Sequence, residues 1–141
     1  MVRTAGVIVF DGDKVLLVRH EEESRQVPTG CYSFPAGKVE DGEGEAETAA
    51  RELMEETGVE VRISDLVRLS GDRGAWLDFK TGRDYCTFAL FLAKKTKGVV
   101  SKKEDKVTPV WISMDKVADL KTMIDIESAI KEALELQKTS T

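Results

Sequence analysis

Between Glu40 and Glu60 the chain carries nine acidic side chains and a single basic one, Arg51. No other feature constrains the fold as strongly. Residues 45–57 are mostly good helix formers, and Gly58 supplies a stop. Ala46, Ala49, Ala50, Leu53 and Met54 recur at helical spacing and predict a buried stripe. Glu52, Glu55 and Glu56 stand at i, i+3 and i+4, which stacks their carboxylates on another side of the same helix. Two unit charges about 4 Å apart repel by about 4 kcal/mol at an effective dielectric of about 20. A helix that holds three of them together needs solvent or a cation. Oxygen-only donors select hard metals such as Mg²⁺, Mn²⁺ or Ca²⁺. Spacing alone leaves a solvated acidic face and a metal site both open.

The rest of the chain sets the frame for that helix. Its 141 residues suit a single domain, residues 1–141, large enough to fold without staples. The longest apolar run, from Ala5 to Phe10, is far short of a membrane span of ~20 residues. No charged-then-apolar leader opens the chain, and Cys31 and Cys86 show no metal or disulfide-framework spacing. A reducing, cytoplasmic setting is therefore expected. A net charge of −5 does not suit a chain that wraps duplex nucleic acid.

Residues 2–10 and 15–19 read as strands of a hairpin turning at Asp11-Gly12-Asp13. Residues 21–30 and 38–43 read as loops. Residues 59–69, 85–93 and 107–112 are expected to be strands, and residues 70–84 a loop or hairpin. Ser113 can cap a short helix through Leu120, and residues 126–136 form an amphipathic helix. Strict βαβ alternation is absent. The pattern predicts an α+β fold with a mixed sheet flanked by helices.

Several motifs fail. Asp41, Glu43, Glu45 and Glu52 fit calcium-loop positions, but Ala46 stands where the loop needs Gly. Gly37-Lys38 lacks the remainder of a phosphate-binding P-loop. His20, the sole histidine, has no serine-elbow partner and reads as an exposed strand-end residue. Arg19, at the end of the second strand, could reach a substrate phosphate or be a surface charge. Trp76, with Arg73 nearby, could stack on a base or cover the core.

The acidic segment carries more than its helix. Gly37 follows a strand-like Ser33-Phe34-Pro35, where a residue without a side chain lets backbone approach a ligand. Glu43 stands at the loop–helix junction, and Arg51 can hold carboxylates through its planar fork. Gly37, five residues, Glu43, seven residues, then Arg51-Glu52-Leu53-Met54-Glu55-Glu56-Thr57-Gly58-Val59 resembles the Nudix box of Nudix hydrolases. Every fixed position of that 23-residue motif is filled. The lead-in from Tyr32 to Glu40 and Trp111-Ile112-Ser113 are similar to the family more loosely. Gly44 departs from the Ser or Thr that many members use as cap.

The resemblance implies the Nudix fold, a mixed sheet between helices. It also implies metal-dependent hydrolysis of a diphosphate linkage in a nucleoside diphosphate joined to another group. Mg²⁺ or Mn²⁺ would be held by Glu52, Glu55, Glu56 and the carbonyl of Gly37, with Arg51 and Glu43 orienting the carboxylates. Glu52 would help deprotonate water, or a downstream loop would, with Glu104 and Asp105 as candidates; among Lys102, Lys103 and Lys106 these two also fit a solvated loop. The absence of Pro near Gly71–Gly74 is unlike ADP-ribose-cleaving members and favours nucleoside triphosphates. ADP-sugars, dinucleoside polyphosphates and a non-catalytic nucleotide-binding module remain alternatives. The expected partner is a small nucleotide, with no stable nucleic-acid complex and no membrane; a homodimer is common in the family.

Overall fold

The computed structural model describes residues 2–22, 29–77, 85–122 and 125–139, with backbone alone at 73–77 and 85–86. Two sheets form the centre. Strand β1 (Val2–Ile8) runs out of the first sheet at Val9 and continues into β2 (Phe10–Asp11) of the second. Thus the first expected strand is real but is shared between sheets. β2 turns at Gly12, whose φ of 61° suits glycine, into β3 (Lys14–His20). Next come β4 (Tyr32–Ser33), β5 (Ala36–Lys38) and helix α1 (Glu45–Thr57). β6 (Leu66–Arg68), β7 (Arg73–Leu77), β8 (Tyr85–Ala93) and β9 (Val107–Ser113) follow, and α2 (Ile126–Thr139) closes the fold.

The first sheet is mixed. β1 pairs parallel with β8 from Val2↔Cys86 to Ile8↔Leu92 and antiparallel with β5, while β6 and β7 line the far side of β8. In the second sheet β3 is central, with β2 and β4 on one side and β9 on the other, all antiparallel.

Alternation along the strands makes two cores, because successive side chains point to opposite faces. Phe88, Leu90 and Leu92 of β8 join Val15 and Leu17 of β3 in a core with Ile126, Ala129, Ile130 and Ala133 of α2. Ala89, Phe91 and Ala93 join Leu16 of β3 in a second core with Ala49 and Leu53 of α1. The expected mixed sheet between helices therefore holds, in the form of two sheets. Among the described residues no helix is long and apolar enough to cross a membrane.

Two expectations change. Residues 59–69 are not one strand: Glu60 makes an isolated bridge to Lys97, Ile63–Asp65 is a 3-10 turn, and only Leu66–Arg68 pairs in the sheet. The apolar residues there serve two cores, with Val59, Val61 and Leu66 in the core of α1 and Val67 and Leu69 in that of α2. The short helix after Ser113 is 3-10, spanning Met114–Asp119, and Ser113 makes no side-chain cap bond.

Candidate active site

Helix α1 begins and ends as its residues direct. Gly44 leads in, with its N–H donating to Glu47 Oε1 at 3.3 Å. Gly58 ends it with φ of 78°, its N–H donating to the Met54 carbonyl at 2.9 Å. The buried face differs from the expected stripe. Met54 is 41% exposed, whereas Thr48, Ala49, Leu53, Glu56 and Thr57 are buried. Glu52 and Glu56 therefore turn inward together toward β5. Glu55, on the other flank, has a half-exposed side chain.

Burial makes the inward pair unusual. Glu56 is 8% exposed, and its Oε1 accepts the Ala36 N–H at 3.0 Å. Loss of water around Glu56 and the nearby Glu52 charge push its carboxyl well above the usual range, against the pull of the Ala36 N–H. Glu52 is pushed up to about 7, first by burial and then by Glu55, with Arg51 acting in the opposite sense. Gly37 of β5 lies directly beneath: a Cβ there would overlap the Glu52 carboxyl. The strand and the carboxylates approach this closely because residue 37 has no side chain.

Arg51 organises the rim. Its Nε and Nη2 donate to Glu43 Oε2 and Oε1 at 2.6 and 3.0 Å, a two-pronged clamp on one carboxylate. Arg51 and the Thr48 hydroxyl, 2.6 Å from Glu43 Oε1, hold the Glu43 carboxyl down at about 2. The third nitrogen, Nη1, donates to Glu52 Oε1 at 2.9 Å and to Glu55 Oε2 at 3.1 Å. As placed, no three carboxylate, imidazole or thiol groups among the described residues converge on one point. The guanidinium draws Glu52 and Glu55 to itself, while Glu56 stays behind against β5. Arg51→Lys should preserve a charge but lose this three-way fork. An activity loss of about 10- to 100-fold with little change in melting temperature is the expected outcome; steady-state kinetics beside a thermal melt checks it.

The downstream loop divides its two candidates. Glu104 is half-buried and its charge acts on both Glu52 and Glu56. Asp105 is exposed, and the contact it makes is through its backbone carbonyl to Lys102. The expectation of a solvated loop fits Asp105 and not Glu104.

Other candidates fall elsewhere. Arg19 donates from Nε and Nη2 to both oxygens of Glu21, at 2.6 and 3.2 Å. By alternation it stands on the side of β3 that carries Val15 and Leu17, away from α1. The side chains of Arg73 and Trp76 lie outside the described residues, as does Cys86. Cys31 is buried and free.

Two features escaped the sequence reading. Thr48 reads as an ordinary helical residue, yet it bonds the clamp carboxylate from a fully buried position. His20, expected to be exposed, is partly buried and bonds the Ser33 hydroxyl at 2.9 Å, and burial lowers its proton affinity. No local pattern signals that pair, because Ser33 meets His20 only through the pairing of β4 with β3.

The NUDIX domain model matches residues 1–133. The chain belongs to the NUDIX family. Within it, the Nudix chain is 33% identical to the CTP pyrophosphohydrolase of Escherichia coli (strain K12) over 67 residues, 48% of this chain and 48% of that protein. It is 25% identical to a MutT-like protein of Streptomyces ambofaciens over 118 residues, 84% of this chain and 67% of that one. Thus it spans about half the length of the first of these relatives. The NUDIX domain of Shewanella oneidensis NrtR, solved with ADP ribose, superposes with a TM-score of 0.73 at 19% identity, covering 96% of this chain and 88% of that one. At that identity the likeness establishes the Nudix fold.

Proposed function

We propose that this Nudix domain hydrolyses a pyrophosphate linkage in a nucleoside diphosphate joined to a further group, with Mg²⁺ or Mn²⁺ as cofactor. The observation that carries the reading is the inward-turned Glu52–Glu56 pair seated on a strand glycine. Two carboxylates with raised proton affinity, one of them buried, are a costly arrangement for a metal-free protein. The donor set fits a hard divalent cation: acceptor-only oxygens, a backbone approach at Gly37, and Glu55 close by on the same helix. Glu52, Glu55, Glu56 and the Gly37 carbonyl would hold it. Bound there, the cation supplies neutralisation of phosphate charge and activation of water.

The chain's own groups perform the remaining work. With a cation bound, Arg51 would keep its clamp on Glu43 and give up Glu52 and Glu55 to it. Glu104, whose charge bears on Glu52 and Glu56 from the downstream loop, would take the proton of the attacking water, with Glu52 and Glu56 holding the cation. Water attacks one phosphorus of the bridge, and the leaving phosphate carries away the bridging oxygen. The substrate read as favoured is a nucleoside triphosphate, supported by the lack of Pro near Gly71–Gly74 and by the relative named for CTP pyrophosphohydrolysis. The ADP ribose held by a neighbour in fold keeps ADP-sugars as the second choice.

Hydrolysis of a panel of nucleoside triphosphates, ADP-sugars and dinucleoside polyphosphates, with product identification, tests the reading. Turnover is expected with Mg²⁺ or Mn²⁺ and to vanish in excess chelator. Undiminished turnover in chelator would sink the metal role, and a silent panel would sink the activity.

A further inference from the structure

Lys102 lies in a stretch of lysines that reads as plain surface, and its ammonium is nevertheless fully engaged. Nζ donates to the Val107 carbonyl at 2.9 Å, to Thr108 Oγ1 at 2.9 Å and to the Asp105 carbonyl at 3.4 Å. An ammonium has three protons, so these contacts use its whole donor capacity. They close a ring over residues 102–108, the segment that contains Glu104.

The ring is anchored on both sides. Toward α1, the Ser101 N–H donates to the Thr57 carbonyl at 2.9 Å. Lys103 and Ser101 also lie against Gly58, where a Cβ would meet Lys103 Cε at 2.8 Å. Toward β3, the Glu21 N–H donates to the Lys106 carbonyl at 2.8 Å. The Thr108 hydroxyl that accepts from Lys102 also helps lower the proton affinity of Glu21, whose carboxylate is held by Arg19. Arg19, Glu21, Thr108 and Lys102 thus lie in one charged cluster that ends on the loop. Only Glu104 of residues 101–106 is drawn inward from solvent.

We infer that Lys102 is a positioning residue: its three-way bond, backed by Thr108, Glu21 and Arg19, fixes the loop that presents Glu104 to the Glu52–Glu56 pair. The inference rests on the hydrolytic reading of that pair. It also gives Arg19 a place other than a phosphate contact. Positioning of this kind acts on the proton-transfer step, since misplacing a catalytic group by about 1 Å can cost about a hundredfold. Binding of nucleotide and cation, which other residues carry, is spared.

The test compares Lys102→Met, Lys102→Arg and Thr108→Val with the unaltered chain, using the nucleoside triphosphate cleaved fastest in the panel. Lys102→Met is expected to lower kcat about tenfold or more with KM and the Mn²⁺ concentration dependence unchanged. Thr108→Val should give a smaller loss of the same kind. Lys102→Arg, which retains donors, should recover most of the rate. In the same proteins, amide hydrogen exchange across residues 99–108 should speed up in Lys102→Met and not in Lys102→Arg. A wild-type kcat in Lys102→Met while Glu104→Gln is impaired would overturn the inference. A loss confined to KM, or one equal in the Met and Arg variants, would do the same. Should the panel be silent, the hydrolytic reading fails instead, and unchanged exchange in Lys102→Met would then overturn the latch by itself.

Discussion

Replacing Glu56 by Gln is expected to reduce metal-dependent turnover about a thousandfold while the protein keeps its fold. Loss of one cation ligand forfeits several kcal/mol of charge stabilisation in the transition state, and about 4 kcal/mol is a thousandfold in rate. The fold survives because Gln is nearly isosteric and its amide oxygen can still accept the Ala36 N–H. Without metal the variant should be the more stable protein at mildly alkaline pH. Glu56 and Glu52 both have folded-state proton affinities raised above the usual carboxylate value of 4.5, with Glu52 at about 7. Between those values the folded chain binds more protons than the unfolded one, so stability falls as pH rises through the window. The fall from Glu52 levels off above about 7, and Glu56, raised in the same direction by burial and by Glu52, adds a fall of the same sign. Glu56→Gln removes its share, giving a flatter profile. Melting temperatures in chelator across the pH range, beside initial rates with Mn²⁺, check both halves. Full activity in the variant would remove the basis for the site.

Gly37→Ala is expected to be nearly as damaging to activity, for a steric reason. The added Cβ would occupy the space of the Glu52 carboxyl. Nothing else in β5 need move, since the obstructed atoms are the far end of a flexible side chain. The predicted result is expulsion of Glu52 from the pair, a loss of about a hundredfold or more in kcat/KM, comparable to losing a supporting contact of a metal site. Melting temperature should change little, because the Ala5↔Gly37 register and the cores beneath are untouched. A fully active Gly37→Ala protein would show that the close approach is incidental. A protein that fails to fold would place the constraint in the strand itself, and circular dichroism separates these outcomes.

Much of this site is legible in sequence because its parts are local. Arg51, Glu52, Glu55 and Glu56 sit on one helix, so their relative placement follows from helical pitch. The extent of that helix follows equally well from Ala, Leu and Glu content and from Gly58. What periodicity misjudged was which face goes inside. Met54 is the more apolar residue, but Glu56 is the one that β5 covers. Hydrophobic patterning assumes that carboxylates stay wet, and a functional site is where that assumption breaks. Residues 59–69 misled for a related reason: their apolar side chains divide between the two cores without belonging to one strand.

Distant pairings were beyond reach. Glu104 and Asp105 are neighbours in sequence with the same charge, yet one is half-buried with its charge bearing on the glutamate pair and the other is exposed. Arg19 looked free until Glu21 and Thr108 were seen around it. The sequence by itself determined the glutamate helix, its glycine stop, the Arg51–Glu43 spacing and the family, all consequences of short-range geometry. Only the tertiary structure decided that Glu56 is buried, that Gly37 lies under Glu52 and that Lys102 closes the Glu104 loop. The first two depend on β5 and α1 meeting across 15 to 20 residues of chain, and the loop that Lys102 closes is set in place only by distant anchors at Thr57 and Glu21, non-local packing that no local pattern encodes.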